Sequence, residues 1–277
     1  MPFEDKLDLL RKLLAAIDLQ GTCVLDAGSG RGSARAILER QPAEVTLVCA
    51  PADKLKAGPV QEELERFPAV SGKLLQVDLA DPGCLREEAF DFILADYLIS
   101  GLQRGKQCQV ISNLHHWLCP GGQLLIVDVE PPDHTIEQRW VASALLFWSR
   151  FLGVYTSEII VEPTYYPQES VLSWLAASGF CDVRVQQHDK LFDRHWALRC
   201  YERAIMLLPQ IENEALRYGV QQELNTLKAK VESWEGFAPP GIVWTKNYAI
   251  RAHKRWDNSA GGDLARARWA AHDKMST

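Results

Sequence analysis

Near the start of the chain one acid precedes three glycines on alternate positions, Asp26, Gly28, Gly30 and Gly32, in the stretch VLDAGSGRGS. The apolar run before them and the small residues after them read as strand, tight turn and helix. Such a turn lets backbone approach a ligand closely, and the free amides at a helix start attract an anion. A dinucleotide, a phosphate and a sulfonium nucleoside all meet those terms. The spacing departs from G-x-G-x-x-G and no GKS or GKT follows, which disfavours a dinucleotide fingerprint and a P-loop. Asp26 would repel a pyrophosphate but welcome a ligand that carries an ammonium group.

Other reactive side chains stand further on. Asp96 ends the run FDFILAD, where it either orients a ligand or caps the helix that follows. His195, beside Trp196, is a candidate base or substrate contact, with a surface or capping histidine as the alternative. Tyr165 and Tyr166 in EPTYYPQES could line a pocket for an aromatic or cationic acceptor. Equally, Tyr165 packs inward while Tyr166 faces water. His115 and His116 are adjacent on a helix and point about 100° apart with no acid or thiol beside them, so no metal site is expected. The 7 cysteines have no CxxC spacing and read as reduced, buried thiols of a cytoplasmic protein.

The elements that must position these residues follow from periodicity. Leucines at helical spacing mark residues 4–18 as a helix. Strands follow at 22–28, 44–50, 73–81, 90–99 and 123–131, separated by helices at 33–41, 53–68 and 105–122, the second broken at Gly58-Pro59. This alternation predicts a parallel sheet covered on both faces, an α/β fold. A long aromatic helix is expected at 134–155 and a shorter one at 168–180. A sixth strand follows at 181–188, then helices over 194–236 interrupted at Pro209 and Gly219, and a last strand at 242–254. The core is thus residues 1–133, 156–193 and 240–256. The segments 134–155 and 194–239 are helical insertions, and 257–277 is a polar, mobile tail. The insertions read as a lid that excludes water from a small acceptor, or as the face of a homodimer.

Taken together, VLDAGSGRG, LLQVDLAD with Asp78, FDFILADYLI with Asp96 and HHWLCPGGQLLIVD resemble the ordered motifs of class I S-adenosylmethionine-dependent methyltransferases, across roughly residues 20–130. The resemblance implies a Rossmann-like, seven-stranded, mostly parallel sheet with a reversed last strand. It implies S-adenosylmethionine as methyl donor and S-adenosylhomocysteine as product. In that family the loop of Asp26, Gly28, Ser29, Gly30 and Gly32 meets the methionine part of the donor. Asp78, with Leu79 beside it, meets the adenine, and Asp96 lies where the family faces the donor methyl. Tyr97 is adenine-side packing or core. Acceptor contacts are expected from Tyr165, Tyr166, Trp148 and Trp196, and catalytic roles from Asp96 and His195.

One departure stands out. The family ends its second strand with an acid that holds both ribose hydroxyls, and this chain has Cys49 there. Three readings follow: donor binding persists without the acid, Asp53 replaces it, or the activity is altered or lost. Losing one charge-assisted hydrogen bond weakens binding by about ten- to a hundredfold. The expected function is methyl transfer to an O, N, S or C atom of a small molecule. The rivals are a non-catalytic or non-methylating protein on the same fold and an aminopropyl transferase. A net charge of −6 disfavours a nucleic-acid partner, and no apolar run is long enough to span a membrane.

Overall fold

The computed structural model describes residues 3–51, 54–130, 144, 145, 148, 165–192, 194–233 and 242–256, with side chains described in these except at 3–5, 54–56, 188–197, 199 and 242–246. Two compact units divide the chain: residues 1–129, 163–187 and 248–277 form one, and residues 130–162 and 188–247 the other. The expected helix at 134–155 falls mostly outside the described residues, and the expected tail at 257–277 falls wholly outside them.

The strands are β1 (Cys23–Ala27), β2 (Glu44–Cys49), β3 (Ser71–Gln76), β4 (Phe90–Asp96), β5 (Leu118–Val129), β6 (Phe180–Phe192) and β7 (Ile242–Lys254). They form one 7-stranded sheet in the order β3-β2-β1-β4-β5-β7-β6. The pairs β1–β2, β2–β3, β1–β4 and β4–β5 are parallel, while the last strand is antiparallel. After β1 the chain winds outward through β2 and β3, then returns to β4 on the other side of β1. The loops after β1 and β4 therefore diverge at the carboxyl edge, the topological switch point where open α/β sheets take ligands.

Strand alternation assigns the two faces. Val24, Val45, Leu47, Phe92, Leu94 and Leu125 pack against helices α1 (Phe3–Leu14), α2 (Arg31–Leu38) and α3 (Lys54–Arg66). Leu25, Ala27, Val48, Ile93, Ala95 and Ile126 pack on the other face with α4 (Leu98–Gly101), α5 (Gln107–Trp117) and α6 (Gln168–Ala177). Because successive strand residues alternate faces, Asp26 and Asp96 fall on the α1–α2 side and Asp128 on the α4 side.

Several expected boundaries shift. Helix α3 runs unbroken through Gly58-Pro59. Proline there forfeits one backbone bond, but Val60 and Glu63 are fully buried behind it and hold the helix down. Strand β5 starts at Leu118, earlier than expected, because a register shift between Phe90 and Phe92 absorbs the Pro-Gly-Gly as part of the strand. Strand β3 stops at Gln76, so Asp78 lies in the loop beyond it. Of the cysteines, all free, only Cys49 is buried; the others are half-buried or exposed.

The second unit contains α7 (Arg194–Leu207) and α8 (Glu214–Ser233), joined by a 3-10 turn at Leu208–Gln210 that Pro209 initiates. Gly219 does not interrupt α8. The buried Val220, Leu224, Leu227 and Val231 that follow it share one helical stripe, and that burial outweighs a single glycine. This stripe packs with Leu145, Ala204 and Leu208 into a core of its own.

Candidate active site

Asp26 is fully buried at the penultimate position of β1. Its Oδ2 accepts a hydrogen bond from Ser33 Oγ of α2 at 2.8 Å, and the same hydroxyl accepts the Gly30 amide at 3.0 Å. The Oδ1 atom is buried and has no hydrogen-bond partner among the described residues. Burial, and then the charge of Asp96, push this carboxyl up to about 7 against the opposing hydrogen bond of Ser33 and the charge of Lys6.

The glycine loop is fixed from below. Gly28 has φ +86°, and a Cβ there would meet Leu98 Cδ1 at 3.1 Å, so both conformation and space require glycine. The Gly28 and Ser29 amides donate to the Val48 carbonyl at 3.1 and 2.6 Å, and Ser29 Oγ accepts the Val48 amide at 3.0 Å. Gly30 differs: it starts α2 with φ −126°, and a Cβ there would meet nothing within 4 Å. The loop is therefore closed toward the sheet and open at Gly30. Gly32 is buried in the first turn of α2.

Cys49 is 1% exposed and its Sγ faces the Ser29 carbonyl at 3.5 Å. The thiol thus turns to the loop's own backbone, and β2 presents no acid at its end. Asp53 lies outside the described residues.

Asp96 ends β4, its side chain only 1% exposed, and Lys6 Nζ of α1 lies 2.5 Å from its Oδ2. The neighbouring Tyr97 has φ 53° and ψ 29°, a left-handed conformation that costs a non-glycine residue about 1–2 kcal/mol. Lys6 Nζ also sits 4.7 Å from the centre of the Tyr97 ring. Asp96 does not cap α4, whose N-cap residue Tyr97 makes no side-chain capping bond. Asp128 of β5 does that work instead: its Oδ2 accepts the Ser100 amide at 3.0 Å. Burial pushes the Asp128 carboxyl up to about 6, with Asp96 adding to the rise.

Asp78 is half-exposed in the loop after β3. Its Oδ2 pairs with Lys106 at 2.7 Å and its Oδ1 accepts the Ala80 amide at 3.0 Å; the Lys106 bond, first, and the amide hold it below the usual carboxylate value. Asn113 of α5 donates to the Leu79 carbonyl at 2.9 Å, so α5 anchors the loop and Leu79 is buried. The other face of α2 is tied down at Glu63 of α3, whose buried carboxylate meets Arg31, Arg35 and Arg66 within 3.0 Å.

Tyr166 packs edge-on against Trp174 at 5.0 Å and belongs to the core, while Tyr165 is half-buried. Trp148 sits on the core of the helical unit and donates to Glu223 Oε1 at 3.0 Å. His195 and Trp196 lie on α7 with side chains outside the described ones. His115 packs edge-on against Phe180, and the exposed His116 meets Glu87 at 2.6 Å. Among the described residues no group of His, Cys, Asp and Glu is arranged to hold a metal, and no helix is long and apolar enough to cross a membrane.

Sequence reasoning did not single out Lys6, Ser33 and Asp128. Lys6 lay on the charged side of a helix read only for its leucines. Asp128, in IVDV, carried a signal as a strand-end acid beside Asp96 in the sheet. Ser33 carried one as the hydroxyl one turn past Gly30.

A strand-end carboxylate and an open glycine turn thus stand at the switch point of a Rossmann-like sheet. A family profile described as a methyltransferase domain matches residues 3–185, and the chain belongs to that family, the class I S-adenosylmethionine-dependent methyltransferases. No curated protein matches the chain in sequence. Among solved structures it is similar to YcgJ of Bacillus subtilis, at 14% identity and TM-score 0.59 over 91% of this chain and 99% of that one. It is also similar to the [4+2]-cyclase SpnF, at 19% identity and TM-score 0.56 over 91% and 81%. A third is phosphoethanolamine N-methyltransferase 2 of Haemonchus contortus, solved with S-adenosylhomocysteine, at 16% identity and TM-score 0.53 over 91% and 52%. At these identities the likeness is one of fold.

Proposed function

We propose that this methyltransferase moves the methyl group of S-adenosylmethionine to a small-molecule acceptor. The observation that carries the reading is the pair of buried, unpartnered oxygens, Asp26 Oδ1 and Asp96 Oδ1, at the ends of adjacent strands beneath a glycine turn open at Gly30. Unpaired buried carboxylate oxygens are costly, and a ligand bearing ammonium and sulfonium groups relieves them. In this reading Asp26 and the loop of Gly28, Ser29, Gly30 and Gly32 hold the amino-acid end of the donor. Asp78 and Leu79, anchored by α5, take the adenine with Tyr97 packing on its side, and Asp96 lies beside the transferred methyl. The donor supplies the electrophilic methyl; the chain contributes position and exclusion of water, which can carry much of the rate.

Asp96, whose Oδ2 is held by the Lys6 ammonium 2.5 Å away, is assigned to orienting the reacting groups. Cys49 holds the glycine loop rather than the ribose, so donor affinity rests on the loop and the acids. The helical unit, with Trp148 and Trp196, is assigned the choice of acceptor, together with Tyr165. His195 is assigned a contact to it. A small acceptor and no nucleic-acid partner accord with the net charge of −6, and a cytoplasmic setting accords with 7 cysteines without CxxC spacing. The aromatic helices suit a homodimer face as well, which sizing in solution would reveal.

Calorimetric titration with S-adenosylmethionine followed by an acceptor screen for S-adenosylhomocysteine release tests the reading. Binding with release on a small molecule supports it, and no binding at millimolar donor rejects it. A second reading, a donor-dependent reaction without methyl transfer, draws on the missing acid at Cys49 and the likeness to a structure titled a cyclase. Binding with no release on any acceptor would favour it.

A further inference from the structure

The strand-end acids are served by a cation from outside the motif. Lys6 stands one residue before the fully buried Leu7, and Leu10 and Leu14 are also fully buried, so α1 is seated on the sheet and aims Lys6 at the site. Its Nζ reaches Asp96 Oδ2 at 2.5 Å and lies 4.7 Å from the Tyr97 ring centre, held from two sides. Among the described residues it is the cation that forms an ion pair with Asp26, Asp96 or Asp128. Yet Asp26 Oδ1 and Asp96 Oδ1 still lack partners.

Methyl transfer changes the ligand's charge. The donor carries ammonium, sulfonium and carboxylate groups, a net charge of +1, and the product has lost the sulfonium charge and is neutral overall. The buried Asp96 carboxylate, without a built-in cation, would grip the charged donor in preference to the neutral product. Lys6, already seated on that carboxylate, offsets its field.

We infer that Lys6 is a specificity-determining residue, one that sets how strongly the site prefers the charged donor over its neutral product. This rests on the donor-site reading above. Lys6 offsets part of the charge on the acids, so donor and product bind more nearly alike than they would to the bare carboxylates.

The test is calorimetric titration of S-adenosylmethionine and S-adenosylhomocysteine into wild type, Lys6→Met and Lys6→Arg, with thermal unfolding of each ligand-free protein. In Lys6→Met the donor should gain on the product by about tenfold in the ratio of dissociation constants. Lys6→Arg, which keeps the charge, should stay near the wild-type ratio. An unchanged ratio in Lys6→Met, whatever its melting temperature, would overturn the inference and leave Lys6 a purely structural ion pair. An equal loss of both ligands would overturn it too, since Lys6 would then serve a group the two share. Failure of either nucleoside to bind the wild-type protein is a separate result, and it removes the donor site itself.

Discussion

One hydroxyl joins the acid of β1 to the glycine loop: Ser33 Oγ lies 2.8 Å from Asp26 Oδ2 and 3.0 Å from the Gly30 amide. The loop's conformation and the acid's environment are therefore set together. Ser33→Ala strands both Asp26 oxygens in the interior and frees the Gly30 amide. It should cost about 1–3 kcal/mol in urea unfolding at neutral pH. A cost within 0.3 kcal/mol, roughly the error of such measurements, would mean the bond contributes nothing.

Asp26 also gives the protein a pH signature. Its carboxyl is raised from 3.8 to about 7 by folding, chiefly by burial. The contribution of this acid is fully present below about pH 4. It is lost as pH rises toward 7, because the unfolded chain releases its proton while the folded chain must keep it. Asp128, raised to about 6, acts in the same direction. Asp26→Asn should therefore gain on wild type by a few kcal/mol between pH 4 and 8, measured as the difference in urea unfolding free energy at each pH. A difference that is flat with pH would show that Asp26 is ionised in the folded protein.

Cys49 makes a sharper case because an acid was expected in its place. The Sγ faces the Ser29 carbonyl at 3.5 Å in a 1% exposed position, so a carboxylate there would oppose that carbonyl. Cys49→Asp should lower stability by about 1–3 kcal/mol with no gain in donor affinity, read by thermal unfolding and titration. A tighter donor complex would show that the end of β2 does face the ribose.

Much of the fold was legible in the chain's alternation. The order of strands and helices through residue 130 follows from apolar runs of strand length between helical stripes, and the glycine turn marks where the first strand ends. Boundaries were less legible wherever burial overrode local propensity. Pro59 and Gly219 looked like breaks, yet Val60 and Glu63 after the one and Val220, Leu224, Leu227 and Val231 after the other are buried and keep each helix intact. Asp26, Gly28 and Asp96 stand out in the sequence because strand ends and glycines carry their own signal, and the structure sets them at the carboxyl ends of β1 and β4. Lys6 was not, because its role depends on a helix docking across the sheet, and no local spacing encodes that contact. Tyr166, an aromatic before proline, reads as a pocket wall in the sequence, and in the structure it packs edge-on against Trp174 of α6.

The central claim, that the turn after β1 is the donor site, meets its most direct test at Gly30. The backbone there has φ −126° and a Cβ would meet nothing within 4 Å, so Gly30→Val should fold normally and fill only the space above the loop. Titration of S-adenosylhomocysteine into wild type and Gly30→Val should find one site in the first and affinity weakened by at least about tenfold in the second, with melting temperatures within about 2 °C. Equal affinity in the two proteins would contradict the claim and place the ligand elsewhere.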